Sequence, residues 1–315
     1  MRIQLQDAIN KLKNGEVVAI PTETVYGLAA DANNEDALRQ IYAIKARPSD
    51  NPLIVHIANM NQVENFASEF SPLAKKLAQT FWPGPFTLVL PAKNTVSKIL
   101  RGNQPTVALR VPNHPITLQL LKESGLALAA PSANKYTQLS PTTADHVLAG
   151  LSDALPVLDG GACEVGIEST IVAVQGDNWH LLRLGMVTEA TIESVAGCEA
   201  NIFSQPIKAP GQHLLHYSPR TPIRLFAYRE TLIASANAHI KSHTPVAALV
   251  LGSGAVPNCS CFVLNKKAAD VAQQLYDTLH KMDALGAKEL LIEAPPNESE
   301  WLAVLDRLTR AAHGK

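Results

Sequence analysis

Two short polar runs, far apart in the chain, carry residue types suited to holding a polyphosphate. Lys45-Ala46-Arg47-Pro48-Ser49-Asp50-Asn51-Pro52 precedes the apolar run Leu53-Ile54-Val55-His56-Ile57. Ala130-Pro131-Ser132-Ala133-Asn134 follows the apolar run Leu126-Ala127-Leu128-Ala129. Each adjoins a buried-strand pattern, where the chain turns and side chains converge on a crevice. Lys45 and Arg47 are two apart, so an extended backbone sets them on one face. Arginine brings a planar fork of donors and lysine a movable point charge. Ser132 and Asn134 share that spacing and add a hydroxyl and an amide. The cations taken alone suit a solvated helix end equally well, since positive charge is favoured there.

Other residues extend the pattern. Thr22 and Thr24, in Pro21-Thr22-Glu23-Thr24-Val25-Tyr26-Gly27-Leu28, follow a buried strand and either line a crevice or satisfy turn backbone. His56 sits inside a core-like run, as a ligand or as an internally satisfied histidine. Arg110 ends the strand Val107-Ala108-Leu109-Arg110, where a buried cation must meet either a carboxylate of the chain or a substrate anion. Ser140 and Thr142 read as caps opening a helix, although helix N-termini also bind anions. Asp159-Gly160-Gly161 and Gly166-Ile167-Glu168-Ser169-Thr170 allow close backbone approach to a ligand, and Arg183 adds a fourth cation. There is no G-x-S-x-G, Walker loop or H-E-x-x-H. Chemistry without a protein nucleophile fits direct displacement at phosphorus, where positioning and charge stabilisation do most of the work.

The positioning elements alternate. Helices are expected over 5–14, from Asn33 or Asn34 to Lys45, from Ser71-Pro72 to Trp82, and over 116–124. Strands are expected over 17–20, 86–90, 107–111 and 126–130, and 171–174 with 179–183 reads as a hairpin. Proline-punctuated residues 205–221 read as a linker between a domain over 1–204 and a smaller one over 222–315. The second has strands at 223–227, 246–251, 261–264 and 289–293, and helices at 229–240, 267–285 and 299–312. Its Gly252-Ser253-Gly254 lacks a third glycine and reads as a turn. The expected class is α/β: a twisted mixed sheet, then a smaller Rossmann-like α/β domain.

Length and charge bound the rest. The 315 residues suffice for two cores. Net charge is −1 and no Lys/Arg run exceeds two, which argues against a global pull on nucleic acid or membranes. Four scattered cysteines read as reduced thiols, and no signal peptide or bilayer-length apolar run is visible, so a cytoplasmic setting is expected.

Taken together, Pro21–Leu28, Lys45–Ile57, Phe81–Leu90, Val107–Pro112, Ala130–Asn134, Ser140–Pro141, Asp159–Gly161 and Ser169–Val172 resemble the YrdC-like domain of L-threonylcarbamoyladenylate synthases. The resemblance spans about residues 5–200, and His216-Tyr217-Ser218-Pro219 with the added C-terminal unit resembles the long, two-domain form. Serine stands there where the family often has alanine. The resemblance implies nucleotidyl transfer: L-threonine, bicarbonate or CO2, and ATP give L-threonylcarbamoyl-AMP and pyrophosphate, with Mg2+ on the phosphates. The product would feed a separate transferase complex that modifies the adenosine next to the anticodon of certain tRNAs. By position, Lys45, Arg47, Ser132 and Asn134 are the implied phosphate-binding set, with Asn51 near the nucleotide. Thr106, Ala130, Ser140 and Arg183 are further implied ATP contacts. Thr24, His56, Arg110 and Ser169 are implied to hold threonine, and Tyr217 with His216 to let the linker close. No protein-bound metal site is implied. Two other readings stand beside it: a non-catalytic RNA-binding module in ribosome assembly, which the charge balance disfavours, and a carbamoyltransferase of the hydrogenase-maturation type.

Overall fold

A computed structural model describes residues 1–201, 207–211 and 217–313. The chain divides into two compact units, Met1–Tyr136 with Pro141–Gln212, and Thr137–Ser140 with His213–Lys315.

The first unit is built on strands β1 (Arg2–Ile3), β2 (Val18–Ile20), β3 (Gly27–Asp31), β4 (Ile54–His56), β5 (Phe86–Pro91), β6 (Thr106–Arg110), β7 (Leu128–Ala129), β8 (Val157–Leu158), β9 (Thr170–Gln175) and β10 (Asn178–Arg183). Their order is β1-β8-β2-β3-β7-β4-β6-β5-β9-β10. β4 runs parallel to β6 and β5 to β9, whereas β2–β3, β3–β7, β4–β7, β5–β6 and β9–β10 are antiparallel. The sheet is therefore mixed, as the alternating pattern with a hairpin implied.

Successive strand side chains point to opposite faces, and the cores follow that period. Ala19 of β2 joins a large cluster with Leu38 and Ile41 of α2 (Glu35–Lys45), and Leu73 and Leu77 of α3 (Pro72–Phe81). Its neighbours Val18 and Ile20 face the other way. They pack with Ile9 and Leu12 of α1 (Leu5–Lys13), and Leu120 and Leu121 of α4 (Pro115–Ser124).

Local chemistry sets the helix ends. Asn34 Oδ1 accepts from the amides of Asp36 and Ala37 and starts α2; Ser71 Oγ accepts from Ala74 N, with Pro72 first in α3. Gly125, at φ 72°, ends α4 in the left-handed region open to glycine. Two expectations need correction. Helix α5 (Ala144–Gly150) is capped by Thr143, not by Ser140 or Thr142. The carbonyls of Pro141 and Thr142 are engaged by Tyr26 N and Cys163 N, so the helix begins later. The strand expected over 126–130 shortens to β7, because Ala127 O and Ala130 N bond to Ala32 N and Ile54 O outside its ladder. Helix α6 (Glu189–Ala196) completes the unit.

The second unit holds β11 (Ile223–Phe226), α7 (Arg229–Lys241), β12 (Val246–Leu251), β13 (Ser260–Leu264), α8 (Ala268–Asp283), β14 (Glu289–Glu293) and α9 (Leu302–Ala312). The sheet order is β11-β14-β12-β13, parallel throughout. β12 is buried along its whole length, as parallel strands covered on both faces are. The Gly252–Gly254 turn is filled by the Arg229 guanidinium, which donates to the carbonyls of Ser253 and Gly254. Among the described residues no helix is long and apolar enough to cross a membrane.

Candidate active site

The two polar runs meet through one ammonium group. Lys45 is the last residue of α2, and its Nζ donates to the carbonyl oxygens of Ser132 and Asn134, both at 2.6 Å, with Asn134 Oδ1 at 3.5 Å. The expected extended face for Lys45 and Arg47 is not how the chain does this. Ala46 turns left-handed (φ 51°) at the helix exit, and Arg47 points into the loop that follows. There its Nε donates to Asn51 O at 3.2 Å, and Nη2 donates to Asn51 Oδ1 at 2.6 Å and Pro52 O at 2.9 Å. Lys45 and Arg47 are buried. Burial first, then the charge of Arg47, push the Lys45 ammonium well below the ordinary lysine value, while Glu168 opposes the shift.

A second cluster gathers around Arg110 at the end of β6. Its Nε donates to Gly84 O at 3.1 Å, Nη1 donates to Thr24 Oγ1 at 2.9 Å, and Nη2 lies 2.6 Å from Glu23 Oε1. Of the two partners open to Arg110, the chain supplies the carboxylate. The hydroxyls of Thr22 and Thr24 are hydrogen-bonded at 2.8 Å. His56 on β4 is the register partner of Arg110; burial, then the arginine charge, depress its pKa to about 3, so the ring is neutral. Ser169 Oγ bonds with Thr87 Oγ1 at 2.8 Å and accepts from Arg183 Nη2 at 3.0 Å. Arg183 also donates to Ser169 O and Pro210 O. The fourth cation thus braces Ser169.

One loop joins the clusters. Leu28 N donates to Pro131 O and Ala133 N donates to Tyr26 O, so residues 26–28 run beside 131–133. Gly27 keeps this approach close, since a Cβ there would stand 3.0 Å from that of Ala130. Ala130 N donates to Ile54 O, and Thr106 is buried at the start of β6. Ser140 and Tyr217 belong to the second unit. Ser140 O is 3.2 Å from His280 Nε2, and the buried Tyr217 ring packs 5.0 Å from the Arg307 guanidinium and 5.9 Å from Tyr276. His216 lies outside the described residues.

Sequence reasoning assigned no role to Glu23 or Thr87. The available signal for Glu23 was a carboxylate between a buried strand and Val25-Tyr26-Gly27-Leu28. For Thr87, one hydroxyl within a buried strand, there was none.

This arrangement, a mixed sheet presenting a cationic loop pair beside an ion-paired polar cluster, defines a YrdC-like α/β protein. Residues 10–185 match the Sua5–YciO–YrdC sequence family, described as telomere recombination, and residues 187–313 match the threonylcarbamoyl-AMP synthase C-terminal domain. The chain belongs to the threonylcarbamoyl-AMP synthase family. It is 38% identical to the threonylcarbamoyl-AMP synthase of Bacillus subtilis, over 99% of this chain and 94% of that one. It is 36% identical to the Pyrococcus abyssi synthase, over 98% and 94%. The crystal structure of P. abyssi Sua5 complexed with L-threonine is similar over 100% of this chain and 97% of that chain, at 34% identity and a TM-score of 0.91. Full-length HypF shares the fold alone, at 19% identity and a TM-score of 0.50, over 57% of this chain and 28% of that one.

Proposed function

We infer that this chain makes L-threonylcarbamoyladenylate and pyrophosphate from L-threonine, bicarbonate or CO2, and ATP. The observation that carries the reading is the Lys45 tie to Ser132 and Asn134, which makes one cationic site of two distant runs. Family membership over the whole chain supports the activity. The P. abyssi relative crystallised with L-threonine supports threonine as the amino acid.

The chemistry follows from the groups present. The threonine ammonium loses one proton, its nitrogen bonds to the carbon of CO2, and loss of a second proton from that nitrogen to solvent leaves a carbamate with a negatively charged oxygen. That oxygen attacks the α-phosphorus of ATP, the bond to the bridging oxygen breaks, and pyrophosphate departs with the electron pair. Lys45 and Arg47 offset charge on the phosphates, Ser132 and Asn134 orient them, and Asn51 is held by Arg47 at the same loop. Thr24, His56, Arg110 and Ser169 form the amino-acid side. A mixed carbamic–phosphoric anhydride hydrolyses readily, so burial around these groups protects the product.

Mg2+ would travel with ATP and neutralise phosphate charge. Among the described residues no three His, Cys, Asp or Glu side chains converge as a metal site, so we assign the ion to the nucleotide's phosphates. Delivery of the product to a tRNA-modifying transferase, and a cytoplasmic setting where ATP and bicarbonate are available, complete the proposal. The test is pyrophosphate release from ATP and bicarbonate with L-threonine, L-serine or no amino acid. Threonine-dependent release is expected, and release independent of any amino acid would overturn the reading.

A further inference from the structure

Within the first unit, the protein leaves the Glu23–Arg110 pair incomplete. The two charges lie 2.6 Å apart, with side chains 3% and 4% exposed. Yet Arg110 Nη2 and both carboxylate oxygens of Glu23 lack an aligned hydrogen bond among the described residues. The rest of the guanidinium is anchored, by Gly84 O and Thr24 Oγ1. Buried polar atoms in folded proteins are nearly always hydrogen-bonded. A buried ion pair recovers its desolvation cost only when further hydrogen bonds complete it.

The unused capacity has both signs. Arg110 holds spare N–H donors, and Glu23 holds spare lone pairs. A simple anion satisfies only the first and is repelled by the second. A zwitterionic α-amino acid supplies both complements on neighbouring atoms: a carboxylate for the guanidinium and an ammonium with three donors for the glutamate. The two protein charges lie side by side, so the pair is electrically balanced.

Resting on the synthase reading above, we propose that Glu23 receives the α-amino group of the substrate while Arg110 takes its carboxylate, so that the pair selects a free α-amino acid and Glu23 places the nitrogen that becomes the carbamate. Glu23 is thus a specificity residue of the amino-acid site.

The test crosses a ligand change with a protein change. Full-length protein is titrated calorimetrically with L-threonine and with 3-hydroxybutanoate, which keeps the carboxylate and hydroxyl but lacks the amine. A charged hydrogen bond of ordinary strength predicts that wild type prefers threonine by at least about tenfold. Glu23→Gln is expected to lose most of that preference, by weakening threonine and leaving 3-hydroxybutanoate within about threefold. Equal weakening of both ligands would mean that Glu23 only holds Arg110, and would overturn the proposal. Undiminished threonine binding in the variant would overturn it as well.

Binding of a non-hydrolysable ATP analogue and the melting temperature report whether the variant is folded. If Glu23→Gln does not fold, Glu23→Asp keeps the charge and withdraws it by one methylene. A reduced preference for threonine then supports the proposal, and an unchanged preference overturns it. The synthase reading fails separately: absent pyrophosphate release with the amino-acid preference intact would unseat that reading alone. A wild-type enzyme active with threonine but showing no preference for it over 3-hydroxybutanoate would unseat only this proposal.

Discussion

Lys45 and Arg110 are both buried cations in the same unit, and the protein holds them in opposite ways. Lys45 directs its donors at neutral oxygens, the carbonyls of Ser132 and Asn134, with Arg47 and Glu168 the charges that act on it. Arg110 faces the carboxylate of Glu23, so its region is electrically balanced. A cation held by neutral oxygens suits a polyanion, and a balanced pair suits a ligand carrying both charges. That difference is used by the proposed function, with ATP on the side of Lys45 and the amino acid on the side of Arg110. It also separates two uses of a buried charge: one fixes a loop and biases the local field, the other waits for a complementary pair.

The sharpest way to break this comparison is to remove Lys45. Lys45→Ala unties two carbonyls and lowers the local charge, and threonine-dependent pyrophosphate release is expected to fall by roughly 10³-fold or more. Near-normal turnover in that variant would show that the Lys45 cluster is not where ATP reacts. Arg110→Met should act on stability before activity. It strands Glu23 as an uncompensated buried charge, and unfolding in denaturant should show a loss of about 3–5 kcal/mol. The double variant Glu23→Gln/Arg110→Met should lose clearly less than the sum of the singles. Strict additivity would dissolve the balanced pair as a unit.

Acid should weaken the amino-acid side. His56 has a folded pKa of about 3 against the ordinary 6.5, so below pH 6.5 the unfolded chain binds a proton that the native state refuses. Stability from this group is full above pH 6.5 and falls by about 1.4 kcal/mol per pH unit on the way down to 3. His56→Gln should flatten that part of a melting-temperature profile between pH 7 and 5, whereas an unchanged slope would place the proton elsewhere. His114 and His280, also lowered by burial, add slopes of the same sign that remain in the variant. The smallest effect belongs to Arg47→Lys. Losing the fork that grips Asn51 and Pro52 should raise the KM for ATP by about tenfold while leaving the threonine KM unchanged. A change in the threonine KM instead would mean that the two sides are not separable.

Much of the scaffold was legible from local signals. Asn34 and Ser71 cap helices where an amide or hydroxyl precedes an apolar period, and Gly125 ends one where a left-handed residue is needed. Strand β3 was not legible, because Gly27-Leu28-Ala29-Ala30 lacks β-branched and aromatic residues; it is a strand through pairing with β2 and β7. The start of α5 was misjudged for a related reason. Pro141 and Thr142 have their carbonyls taken by Tyr26 and Cys163, contacts that no local pattern announces. The site residues stood out as polar types in apolar runs. Their partners within the chain did not: Arg183 braces Ser169, and Glu23, to which the sequence assigns no role, faces Arg110.

The order of motifs by itself determined the family and the alternating architecture, because periodicity, caps and residue type are local properties. Only the tertiary structure decided which charge meets which partner. Lys45 lies 87 residues before Ser132, and Glu23 lies 87 residues before Arg110. Pairings over such separations are set by strand order and loop crossing, and those depend on the free energy of the whole packed sheet.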